Sequence, residues 1–216
     1  MSDRAPSVSP WTRRRFVAGI GGLVGTGAVA LGRQARAADS YEVSVPHLAL
    51  GAIVSAIGGD EMVIEVDPSL PLATLKLGST QLSLAERVLL KGEGDARRRY
   101  LDDARNAPKL GAAVRDGLSS TWPQLTEQVA QRHKTWSRGL AHAVLQWSKA
   151  LADAGLRDKR VRDPGGRIYL LEWAGAIVTS DGASPPAALA RAPQQPNAAT
   201  DAAYRAYVQS LVDALS

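Results

Sequence analysis

Leu125, Val129, Trp136, Leu140, Val144, Trp147 and Leu151 recur at steps of three, four or seven residues. That spacing draws one apolar stripe along a helix over about 123–154. It is the strongest periodic signal in the chain, and a stripe of this length must be covered by other elements. Trp122-Pro123 interrupts the chain just before it, and Gly155 is placed to cap its end.

The segment upstream reads as strand, helix, strand. Tyr41–Val45 alternates, Pro46 and His47 break it, and Leu50, Ile53, Val54 and Ile57 share one helical face. Gly58-Gly59-Asp60 ends that helix, and Met62–Val66 is a second strand closed by Asp67-Pro68. This order opens a parallel α/β unit. A loop is expected over about 69–78, a short helix over 83–87 with Ser83 as N-cap, and a buried strand over 88–91. A helix over 104–119 carries Leu110, Val114 and Leu118. After the long helix, 156–166 reads as a charged loop and 168–178 as one strand or a hairpin. The stretch 184–197, with four prolines, reads as an extended linker. Asp201–Leu215 reads as a closing helix with Tyr204, Tyr207, Val208, Leu211 and Leu215 on one side.

The expected fold class is therefore α/β: a parallel-sheet lobe of three layers, a long connecting helix and a reduced second lobe. The boundaries fall at 1–37 for a signal segment, 38–103 for the N-terminal α/β lobe and 104–155 for the connecting helices. Residues 156–216 then form the reduced C-terminal lobe and closing helix.

Thr12-Arg13-Arg14-Arg15-Phe16-Val17 has the twin arginine and apolar pair of a Tat export signal. An uncharged Gly- and Ala-rich stretch follows, too short to span a bilayer. Ala35 and Ala37 then supply the small-x-small pattern read by a signal peptidase. Cleavage after Ala37, a periplasmic location and the Tat export machinery as first partner are the expectations. Residues 1–37 hold six arginines and one acid, so the rest of the chain has 26 − 6 = 20 Lys+Arg against 21 − 1 = 20 Asp+Glu. A charge-balanced mature chain has no electrostatic reason to bind nucleic acid, and no membrane insertion is expected after cleavage. The chain has no cysteine, so disulfides and thiolate metal sites are excluded.

His47 stands at the C-terminal end of the first strand, where ligands of α/β folds bind. It is a candidate metal ligand or ligand-contacting group, with a cap for the following helix as the favoured reading. His133 and His142, nine residues apart, cannot form an i, i+4 metal pair and read as packed or surface residues. Asp102 and Asp103 could bind a hard cation or act as a carboxylate pair, but surface neutralisation by Arg97, Arg98, Arg99 and Arg105 is the favoured reading. Glu172, inside an apolar run, lies on an exposed face or in a cleft. The tryptophans at 136 and 147 have helical spacing and read as core. Phosphate loops, a nucleophile elbow, HExxH and a Cys/His pair are absent from the sequence, so an enzyme is not expected.

Several stretches in order resemble the metal-binding receptors of zinc and manganese ABC importers. They are Ile57-Gly58-Gly59-Asp60, the run Leu82-Ser83-Leu84-Ala85-Glu86-Arg87-Val88-Leu89-Leu90, and the box Tyr100-Leu101-Asp102-Asp103-Ala104-Arg105-Asn106-Ala107. The Trp122-Pro123 break, the long helix and the last helix are also similar. The likeness runs from about 41 to 155. It implies a periplasmic solute-binding protein that delivers zinc or a similar divalent metal to an ABC importer membrane subunit. The histidines that hold metal in that family have no counterparts at three positions. Ser69 follows Asp67-Pro68, Arg98 and Arg99 precede the aromatic box, and no histidine follows His142. His47, Asp67 and Asp102 are what remains as metal candidates, and weakened metal binding is implied. Two further readings stay open: a receptor-derived protein acting through protein contacts without metal, and a small enzyme using carboxylates such as Asp102 and Glu172.

Overall fold

The long helix and the opening unit form where their residue patterns put them. A computed structural model describes residues 40–216; Arg13, Arg14, Ala35 and Ala37, named above for the expected export signal, lie outside the described residues. Strand β1 (Tyr41–Val45), helix α1 (Leu48–Gly58) and strand β2 (Met62–Val66) follow one another, and β1 and β2 are parallel with Tyr41 opposite Met62. Gly59, at a φ of 84°, ends α1. Arg132 ties that turn to the long helix through the Gly58 carbonyl at 2.5 Å and Glu61 at 3.1 Å.

The sheet then departs from expectation. Strands β3 (Thr74–Leu77) and β4 (Thr80–Ser83) form an antiparallel hairpin, and β3 adds antiparallel to β1. The result is a mixed four-stranded sheet in the order β2-β1-β3-β4, not a parallel one. The segment read as a loop over 69–78 thus contains β3. Its Leu75 and Leu77 alternate with exposed Lys76, a half-buried strand pattern obscured by the prolines before it. The run 88–91 is not a strand: Val88 is buried but Leu89 is exposed, and an antiparallel hairpin already occupies the sheet edge. Only one 3₁₀ turn, Ala85–Arg87, forms where a short helix was expected, and Ser83 closes β4 instead.

Val43, Val45, Leu75 and Leu77 face the helices, whereas Glu42, Val63, Glu65, Lys76 and Gln81 on the other side are exposed. The sheet is therefore covered on one face, and two layers replace the expected three. Helix α2 (Asp95–Arg98) is a single turn, and helix α3 (Ala107–Thr121) follows a 3₁₀ turn at Ala104–Asn106. Helix α4 (Thr126–Asp153) buries Val129, Trp136, Leu140, Trp147 and Leu151, as its stripe requires.

After α4, Gly155 takes a φ of 67° and turns the chain into the short strand β5 (Arg160–Val161). The apolar run after Gly166 is not a hairpin. It forms helix α5 (Ile168–Trp173) and then the short strand β6 (Ile177–Val178), parallel to β5. Four of the six helix residues are buried, and a short apolar run buried on several sides does not reveal its period. The proline-rich stretch also contains a short helix, α6 (Ala187–Arg191). Helix α7 (Asp201–Leu215) occupies its expected span, with the Thr200 hydroxyl accepting from the Ala203 amide as N-cap. The Ala199 methyl just before it packs against Gly51 of α1, so the end of the chain shares the core of its beginning. Ala38–Ser216 is one compact unit. No helix among the described residues is long and apolar enough to cross a membrane.

Candidate functional site

His47 ends β1 and starts α1, and its ring is committed at both nitrogens. Nδ1 accepts from the Leu50 amide at 3.3 Å, as an N-cap side chain does, and Nε2 lies 2.9 Å from the Tyr100 hydroxyl. A nitrogen that accepts a backbone N–H carries no proton, so in the neutral ring the proton sits on Nε2 and points at Tyr100. Burial, with the Arg98 guanidinium adding to it, lowers the His47 pKa to about 4, so the neutral ring prevails at neutral pH. A metal ligand needs a free lone pair. Here one faces Leu50, and the other nitrogen holds its proton against Tyr100.

Tyr100 is fully buried and begins the aromatic box. Burial raises its pKa, and the Ala73 backbone amide works the other way. The box closes on itself: the Asn106 amide donates to the Tyr100 carbonyl at 2.7 Å, and Asp103 caps the turn that follows by accepting from the Arg105 amide at 3.0 Å. The most distinctive motif of the sequence is thus a self-bonded corner that presents Tyr100 to His47. Asp67 is also used locally. Its Oδ1 accepts from the Ser69 amide at 2.9 Å and from the Ser69 hydroxyl at 2.6 Å, which holds the carboxyl below its ordinary range.

Asp102 corrects the expectation of surface neutralisation. Its neighbour Asp103 does pair with Arg105, at 2.7 Å. Asp102 instead points inward, with 2% of its surface exposed, and pairs with equally buried Arg167 at 2.9 Å. The Tyr207 hydroxyl donates to its other oxygen. Arg167 Nη1 also donates to the Tyr207 oxygen at 3.0 Å, and Nη2 donates to the Pro193 carbonyl at 2.5 Å. Burial pushes the Asp102 carboxyl up, opposed by Arg167 and Tyr207. The Asp102 charge and the Tyr207 contact together hold Arg167 protonated against the pull of burial. Above this set, the Tyr204 hydroxyl donates to the Leu101 carbonyl at 3.0 Å.

His47, Asp67 and Asp102 are therefore each committed to a different protein partner. Among the described residues no three His, Cys, Asp or Glu side chains form a group that could hold a metal ion. Glu172 is on α5 rather than a strand; it is about one-third exposed and ion-paired with Lys91. The two carboxylates considered for catalysis thus face different cations. His133 sits 3.2 Å from Ser137 on the same helix, while Asp116 across from it is engaged by Arg115. Trp136 and Trp147 are core residues whose indole N–H groups donate to Asp201 and Gln209 of α7. Two shallow surface depressions, of about 320 Å³ beside Arg162 and Thr179 and about 270 Å³ between β4 and α3, touch none of the candidate residues.

Sequence reasoning missed Arg167, Tyr204 and Tyr207. The signal was present in the two tyrosines at i and i+3 on the apolar side of α7. A buried phenol needs a partner, and these two could have announced a buried polar group opposite them. Comparison with protein-family models, curated proteins and solved structures gave no match.

Proposed function

We propose that this chain is an exported, receptor-like protein associated with metal import, in which the metal site has become structural and function proceeds through protein contacts. The order of receptor-like stretches and the export signal support the transport association. The state of His47 carries the rest: a histidine whose two nitrogens serve a helix cap and a buried phenol has no lone pair for zinc. Asp102, the other inward donor, is neutralised by Arg167, and a guanidinium there repels a cation. Zinc ligation by His47 forfeits the helix cap by either nitrogen: at Nδ1 it displaces the Leu50 amide, and at Nε2 it requires moving the proton to Nδ1.

Calorimetric titration of metal-free protein, residues 38–216, with zinc tests the metal half. The expected result is no saturable heat at micromolar zinc, and nanomolar affinity overturns it. Growth of a deletion strain in zinc- and manganese-depleted medium tests the transport half. A growth defect restored by the His47→Asn variant is expected; growth equal to the parent removes the association with metal import.

A further inference from the structure

Helix α4 presents its outer face to solvent, diametrically opposite the stripe that includes Trp136 and Trp147. At 100° per residue, Lys134, Arg138, His142, Leu145 and Lys149 fall within an arc of roughly 80° on that face. All five are exposed, and Leu145, at 72%, is among the most exposed large apolar side chains of the described residues. Lys134 to Lys149 spans about 22 Å along the helix axis. No acidic residue occurs in α4 between Glu127 and Asp153, and among the described residues no carboxylate pairs with Lys134, Arg138 or Lys149. Elsewhere about half of the described arginines hold a carboxylate, namely 98, 105, 115, 132, 160, 167 and 205.

We infer that this face of α4 is a docking surface for an acidic protein segment, with Leu145 as the apolar anchor between the cations. This deepens the contact-making reading above and rests on it, but its test involves no metal. A chain with 20 cations and 20 anions beyond residue 37 attracts nothing by net charge, so attraction must come from a local concentration such as this one. The rigid helix sets the cation spacing in advance, which lowers the ordering cost of binding. An anionic bilayer is the poorer fit. Helices that lie in a membrane interface bury a wide apolar face, and here a single leucine stands among cations and small residues.

The probe is a fluorescein-labelled amphipathic peptide of about six turns, with glutamates at i, i+4 spacing flanking a line of leucines. Its anisotropy is followed with residues 38–216 at low salt. Saturable, salt-sensitive binding is expected, weakened about tenfold or more by K134E/R138E/K149E. Leu145→Ala, which changes no charge, weakens it about threefold or more. R87E/R97E/R191E has the same net charge as the first variant and reverses exposed arginines elsewhere, so it keeps most of the affinity. Circular dichroism checks folding, and K149E alone gives a milder reversal should the triple variant unfold. The inference is overturned if the peptide fails to bind, if both charge reversals lose affinity equally, or if Leu145→Ala binds as the wild type does. Phosphatidylglycerol vesicles that bind more tightly than the peptide also overturn it, in favour of a membrane surface. Failure on any of these grounds leaves the zinc titration as the separate test of the metal-free reading.

Discussion

The Arg167 guanidinium donates to the Asp102 carboxylate at 2.9 Å across 65 positions of chain, with both side chains almost wholly out of solvent. It joins the aromatic box after α2 to the segment entering α5. The Tyr207 hydroxyl, bonded to both, brings in α7. A buried pair of this kind contributes little net stability, because desolvation offsets attraction. The pair links segments distant in sequence, and separating its partners inside the core leaves a charge buried alone.

Breaking the pair from one side should therefore be costly. Arg167→Met leaves the Asp102 carboxylate buried without a cation, at a cost of about 3–5 kcal/mol. The double variant Asp102→Leu with Arg167→Met should recover most of that loss. Urea unfolding of the three proteins checks this, and equal loss in single and double variants contradicts it.

Tyr207→Phe removes a donor to Asp102 and an acceptor for Arg167. The expected loss is about 1–3 kcal/mol by the same assay. Tyr204→Phe orphans only the Leu101 carbonyl and should cost less.

His47 makes stability depend on pH. Its pKa falls from 6.5 to about 4 on folding, so the unfolded chain binds more protons between those values. The contribution is complete above pH 6.5 and is lost as pH falls toward 4. The shift corresponds to roughly 3 kcal/mol. His47→Asn retains a capping side chain but cannot titrate. The stability difference between wild type and this variant should shrink in favour of the variant from pH 7 to pH 4, and a constant difference contradicts the assignment.

Two glycines inside helices should respond in opposite directions. A Cβ on Gly111 meets Trp136 Cζ3 at 2.2 Å, and Trp136 is buried, so Gly111→Ala should destabilise by about 1–3 kcal/mol. A Cβ on Gly139 meets nothing nearer than the Arg205 guanidinium at 3.4 Å. Gly139→Ala should stabilise by about 0.5–1 kcal/mol through helix propensity. Thermal midpoints decide both.

Export should depend on the twin arginine. Replacing Arg13 and Arg14 by lysine should retain the protein in the cytoplasm, as judged by cell fractionation. An unchanged periplasmic yield contradicts a Tat signal.

The long helix and the closing helix were legible because each needs only one covered face. The stripe from Leu125 to Leu151 and the apolar side of Asp201–Leu215 state their period in local sequence. The parallel β1-α1-β2 unit was legible for the same reason, with glycines marking its turn. The hairpin of Thr74–Leu77 and Thr80–Ser83 was not, because four-residue strands carry too few alternations to stand out from a loop. Helix Ile168–Trp173 was misread because burial removed the polar positions that reveal a period.

The candidate site divides in the same way. Sequence alone identified His47 and the aromatic box as chemically notable, and allowed His47 the role of helix cap, since a cap is set by residues three positions apart. What each donor faces was decided only by the tertiary structure. Whether Asp102 lay beside Arg99 at the surface or against Arg167 in the core depends on the docking of distant segments, and local charge patterning favoured the wrong partner. Desolvation sets which pairing is tolerated, and it is a property of the assembled core that no window of sequence contains.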